Sequence, residues 1–97
     1  MVFIGIGSNL GNRLKNIERA KYLLELNGIN IFKTSSYYET LSWPDKRNPK
    51  FINIVIQSNT KIPPKKILQI SKSIEKKLGR KKGLKNSPRP CDIDILS

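Results

Sequence analysis

The sequence predicts one small α+β domain, a four-stranded sheet with two helices on one face. Three observations carry this. Four short runs rich in Ile, Val, Phe, Thr and Tyr, at 2–6, 29–38, 51–58 and 92–96, have the length and composition of strands. Two longer stretches repeat their apolar residues at helical spacing instead: Leu14, Ile17, Ala20 and Leu24, then Ile67, Ile70, Ile74 and Leu78. The order is therefore β-α-β-β-α-β, and right-handed crossovers fold that order into a ferredoxin-like arrangement. A chain of 97 residues has material for one core, so a single domain over 1–97 is expected.

Residues 2–6 form a continuous apolar run, as a buried central strand requires. Gly7-Ser8-Asn9-Leu10-Gly11 follows as a loop. Gly5, Gly7 and Gly11 miss the spacing of the dinucleotide fingerprint by one residue, and there is no P-loop motif. Asn12 is placed to cap the first helix. Leu23 widens its apolar stripe, Lys15, Glu18, Arg19 and Glu25 suit its wet side, and Asn27-Gly28 ends it.

The connection 40–50 is polar, carries Trp43-Pro44, Asp45 and Pro49, and is long for a compact domain. Such length favours a functional or mobile segment over a plain link. Trp43 reads either as a ring on the core edge or as a lid over a planar ligand. In 51–58, Ile52, Ile54 and Ile56 face one side while Phe51, Asn53 and Val55 face the other. Asn53 offers donors and an acceptor. It suits either nearby backbone or the polar edge of a flat ligand stacked on Phe51. Pro63-Pro64 opens the second helix and Gly79 closes it.

Chemistry concentrates in 80–96, RKKGLKNSPRPCDIDIL. Asp92 and Asp94 stand at i, i+2 on a predicted strand, so both point to one face while Ile93 and Ile95 point to the core. Paired carboxylates repel each other and favour a cation between them. Hard oxygen ligands beside Arg80, Lys81, Lys82, Lys85 and Arg89 suit magnesium and a polyphosphate. A solvated strand edge and a solvated basic loop are the plainer alternatives.

The chain has 19 basic and 7 acidic residues, a formal net charge of +12, which favours anionic partners. No run approaches the length of a membrane span, so no membrane partner is expected. The single cysteine, Cys91, excludes an internal disulfide and suits the cytoplasm; it reads as a small strand residue. The absence of histidine removes any histidine base or ligand from this chain. An RNA-recognition module shares the element order and would welcome the charge. Against it, 51–58 lacks the stacking-aromatic signature, and carboxylates at a strand end repel RNA.

Taken together, I-G-I-G-S-N-L-G-N-R, S-S-Y-Y-E-T, F-I-N and S-P-R-P-C-D-I-D-I-L resemble, in order, the motifs of the 6-hydroxymethyl-7,8-dihydropterin pyrophosphokinase family. The family signature reads roughly G-P-R-x-x-D-x-D-[IL]-[IL]. Asn86-Ser87 depart from the Trp-Gly often found before its Pro-Arg pair, and the loop is slightly short. The resemblance implies transfer of diphosphate from ATP, the co-substrate, to the pterin's hydroxymethyl group. It implies that Asp92 and Asp94 hold Mg²⁺ and that Arg80, Lys82 and Arg89 act catalytically on the phosphates. Glu75, Arg80 and Arg89 would face the nucleotide; Gly7, Thr40, Leu41, Trp43, Phe51 and Asn53 would hold the pterin. It implies small-molecule partners rather than nucleic acid, and it allows fusion or adjacency to another folate enzyme. Family members continue well past the D-x-D strand. A domain lacking that C-terminal segment, with little turnover by itself, is therefore expected.

Overall fold

The computed structural model describes residues 1–81 and 86–97. Its elements are β1 (Val2–Ser8), α1 (Arg13–Leu26), β2 (Lys33–Thr34), β3 (Tyr38–Thr40), β4 (Phe51–Ser58), α2 (Pro64–Lys77) and β5 (Asp92–Ile95). The fold is α+β. One antiparallel sheet runs in the order β2-β4-β1-β5, with β3 also paired to β4.

Alternation along the strands builds the core. Ile4, Ile6, Ile54, Ile56 and Ile93 are buried together with Ile17, Ala20 and Leu24 of α1 and Ile67, Ile70 and Ile74 of α2. Both helices thus close over the same isoleucine set, and burial of that set is the main force holding the sheet. Asn12 caps α1 as its side chain accepts from the Lys15 amide at 3.1 Å. Leu14 departs from the expected stripe: it is 51% exposed, while Ile17, Ala20 and Leu24 are buried and Leu23 packs partly buried against the core. Cys91 is buried, and burial pushes its thiol pKa up to about 12, which keeps it protonated and unreactive.

The strand expected over 29–38 is two strands, so the sheet has five rather than four. Residues 29–32 return the chain from the end of α1: the Ile29 amide donates to Leu24 O at 3.0 Å, and Ile29 joins the core. At Ser35 the ladder to β4 is only half made: the Ser35 amide donates to Val55 O at 2.9 Å. The Val55 amide donates to the Ser35 hydroxyl at 2.8 Å, where a continuous strand would offer a carbonyl. Thr34 pairs with Ile56 and Tyr38 with Asn53, four steps along the edge against three along β4. One extra residue is accommodated there, as in a β-bulge. The shift matters because it sets Tyr38 and Thr40 beside Asn53.

Candidate active site

The site floor is a row across the sheet. Gly7 of β1 pairs with Asn53 of β4 on one side and Asp92 of β5 on the other, and Asn53 pairs onward with Tyr38 of β3. The next row sets Gly5 between Val55 and Asp94. Asn53 Nδ2 donates to Tyr38 O at 3.3 Å and to Thr40 Oγ1 at 3.0 Å. A carbonyl cannot donate, so these partners settle the amide's orientation and leave Oδ1 over Gly7. A Cβ on Gly7 would stand 2.8 Å from Asn53 Oδ1 and 3.3 Å from Phe51 Cδ1. Glycine is what opens this point of the floor.

Beside the row lies a cleft between α2, the 86–90 segment and β5. Its charged lining is Lys72, Glu75, Lys76, Arg80, Lys81, Arg89, Asp92 and Asp94. Arg80 bridges two carboxylates, with Nη1 2.8 Å from Glu75 Oε2 and 3.1 Å from Asp92 Oδ1. Arg89 Nη2 lies 3.5 Å from Asp92 Oδ2. Its guanidinium also sits over the Phe51 ring, and its Nε is buried and bonded to none of the described residues. Glu75 accepts from the Ile93 amide at 2.8 Å, tying α2 to β5. Burial pushes the Glu75 pKa up, against that hydrogen bond and the Arg80 charge. Burial, and then the Asp92 charge, push Asp94 up as well.

A third feature joins the cleft to the 41–50 connection. Asn9 Oδ1 accepts from the Arg89 amide at 2.8 Å, while Nδ2 donates to Ser42 Oγ at 3.1 Å and to Pro49 O at 3.2 Å. Arg13 holds the far end of that connection through Lys50 O at 3.0 Å.

Residues 3–97 match the model of a protein family described as 7,8-dihydro-6-hydroxymethylpterin-pyrophosphokinase (HPPK). The chain belongs to the HPPK family. It is 40% identical over 98% of its length to a mitochondrial folate synthesis bifunctional protein of Arabidopsis thaliana. It is 39% identical over 98% of its length to a 2-amino-4-hydroxy-6-hydroxymethyldihydropteridine pyrophosphokinase of Aquifex aeolicus, and 32% identical over 99% to one of Bacillus subtilis. The chain spans 17% of the Arabidopsis protein, 59% of the Aquifex protein and 58% of the Bacillus protein. The RNA-recognition reading gains no support from these likenesses.

Against the HPPK resemblance, the expected residues fall into four groups. Gly7, Thr40, Phe51 and Asn53 meet around the floor, and Glu75, Arg80, Arg89, Asp92 and Asp94 line or border the cleft. Leu41 and Trp43 stand apart: they are 54% and 79% exposed, so the Trp43 ring neither covers the core edge nor closes over the floor. Lys82 lies outside the described residues. Glu75 has Arg80 and the Ile93 amide as its partners. Asn9, Ser42 and Tyr38 were not foreseen as single residues. The signal for Asn9 was its place between Ser8 and Leu10 in a loop leaving the central strand, and its long-range partners are invisible in a linear reading.

Proposed function

We propose that this chain forms the core of an enzyme transferring diphosphate from ATP to 6-hydroxymethyl-7,8-dihydropterin. The observation that carries the reading is the row Asn53–Gly7–Asp92, which runs from an amide-lined floor to paired carboxylates in a chain of this family. The pterin would lie over Gly7 with its face on Phe51 and its polar edge against Asn53, with Thr40, Leu41 and Trp43 at the rim. Its hydroxymethyl oxygen would bond to the β-phosphorus of ATP. The bond from that phosphorus to the oxygen retained by AMP would break, and the hydroxyl proton would pass to water. Holding both reactants in line supplies much of such a rate.

Arg80, Lys82 and Arg89 would clamp the phosphates and meet charge developing on the leaving group, with Glu75 orienting Arg80. The Nε of Arg89, buried and bonded to none of the described residues, fits an anionic neighbour. Asp92 and Asp94 fit magnesium: they share one face, and the Asp92 charge helps hold Asp94 above the usual carboxylate range. No group of three or more metal-ligating His, Cys, Asp or Glu residues occurs among the described residues, so the remaining ligands would be phosphate and water oxygens. When bound, the ion would neutralise the polyphosphate and polarise the reacting phosphoryl group.

We read β2 and β3 as one interrupted edge strand of a ferredoxin-like sheet with both helices over one face; the strand order β2-β4-β1-β5 and the core shared by α1 and α2 support that reading. The unit 1–97 acts as one domain, in the cytoplasm or as part of a longer folate-pathway protein, on small molecules rather than nucleic acid or membrane. Among the described residues no helix is long and apolar enough to cross a membrane. The test is AMP formation from ATP and 6-hydroxymethyl-7,8-dihydropterin by the protein, with and without Mg²⁺. AMP release that is low, magnesium-dependent and requires the pterin is expected; ATP consumption indifferent to the pterin would overturn the reading.

A further inference from the structure

Asn9 is 2% exposed and lies just beyond the end of β1. Its side chain has one acceptor and two donor hydrogens in use: Oδ1 takes the Arg89 amide, and Nδ2 reaches Ser42 Oγ and Pro49 O. Its own amide donates to Arg89 O at 3.1 Å, so the Arg89 backbone is gripped in both directions. Ser42 is 4% exposed, and its hydroxyl donates to the same Pro49 carbonyl. Among the described residues, the hydrogen bonds joining 42–49 to 86–91 all run through Asn9. Arg13 secures Lys50 but does not reach the Arg89 segment.

We propose that Asn9 is a positioning residue that couples the two halves of the cleft, an inference that rests on reading them as a pterin side and a phosphate side. A buried amide whose partners sit on two separate segments cannot release one without leaving a polar group unpaired. The 42–49 segment, flanked by Thr40 and Phe51, and the Arg89 segment therefore shift together. Occupation of either half biases the geometry of the other, and the bias is reciprocal.

Asn9→Asp isolates the link. It keeps the size and the acceptor for the Arg89 amide, and it removes both donors to Ser42 and Pro49. Calorimetry would measure binding of oxidised 6-hydroxymethylpterin and of a non-hydrolysable ATP analogue, each alone and in the presence of the other. The unmodified protein should show a coupling of about fivefold or more, and Asn9→Asp should bring it close to one while each ligand alone still binds. Absence of coupling in the unmodified protein, or equal coupling in the variant, would overturn the proposal; a merely structural asparagine would lower both affinities and leave their ratio unchanged.

Hydrogen exchange without ligand supplies an independent readout. Asn9→Asp should speed exchange across 41–50 and leave α1 and the central strands protected. Loosening spread evenly over the chain, or none, would sink the idea. If the unmodified protein bound neither ligand, the pyrophosphokinase reading would fail and the exchange result would still decide the role of Asn9. Should Asn9→Asp not fold, Ser42→Ala removes one partner only, and intermediate coupling and exchange are expected from it.

Discussion

The guanidinium carbon of Arg89 lies 5.3 Å from the centre of the Phe51 ring. The same side chain reaches Asp92 at 3.5 Å, so one cation touches the aromatic surface and a carboxylate at once. Lysine can supply the charge there but neither the flat stack nor the fork. Arg89→Lys should therefore weaken binding of a non-hydrolysable ATP analogue by about 1.5–3 kcal/mol, in the range of a charged hydrogen bond. Calorimetry checks it; unchanged affinity would mean that Arg89 serves the fold rather than the ligand.

A side chain at Gly7 should be costly. Alanine there would press on Asn53 Oδ1 and the Phe51 ring, at a stability cost of about 1–3 kcal/mol, the usual range for overpacking. Pterin affinity should fall, because both contacts are displaced, while the ATP analogue binds nearly as before. Asn53→Ala should show the same selectivity, losing about 1–3 kcal/mol of pterin binding. Urea unfolding and fluorescence titration separate the two effects, and parallel losses for both ligands would mark these residues as purely structural.

Asp94 makes a pH-dependent prediction. Its folded-state pKa is raised, first by burial and then by Asp92, so the folded chain holds that proton more tightly than the unfolded chain does. The stability this contributes is present below the ordinary carboxylate range and is lost as pH rises through the raised value. Asp94→Asn should match the parent protein in acid and become more stable than it toward neutrality. Thermal unfolding in chelator at several pH values tests this, and a gap independent of pH would contradict it. The same variant should lose magnesium-dependent stabilisation by the ATP analogue.

Glu75 separates two jobs. Glutamine can still accept from the Ile93 amide but loses the ion pair with Arg80, whereas alanine strands that amide. Glu75→Ala should cost about 1–3 kcal/mol of stability, the price of an unmade buried hydrogen bond. Glu75→Gln should cost less, because it also removes a charge that burial disfavours. Denaturant midpoints compare them, and equal costs would show that the ion pair, not the amide, is what α2 contributes to β5.

The local physics of the fold was legible. Asn12 capped its helix, Asn27-Gly28 and Gly79 ended theirs, and 51–58 formed its strand with Ile54 and Ile56 inward. These depend on neighbours in sequence. The split of 29–38 was not legible, because a hydroxyl from Ser35 replaces a ladder carbonyl only when β4 is already beside it. The site divides in the same way. The spacing of Asp92 and Asp94 shows their shared face. Nothing in the spacing shows that Arg80 would stand between Glu75 and Asp92, or that Trp43 would face solvent.

The open point at Gly7 has an evolutionary consequence. Every substitution there adds at least one carbon that presses on Asn53 Oδ1 and the Phe51 ring. A lineage adjusting its ligand preference can therefore work only from the surrounding loops, where side chains such as Leu41 and Trp43 are free to change. A compound resting directly on this glycine would contact the position from which resistance is hardest to reach, whereas one that leaned on the loops would meet an easily altered surface.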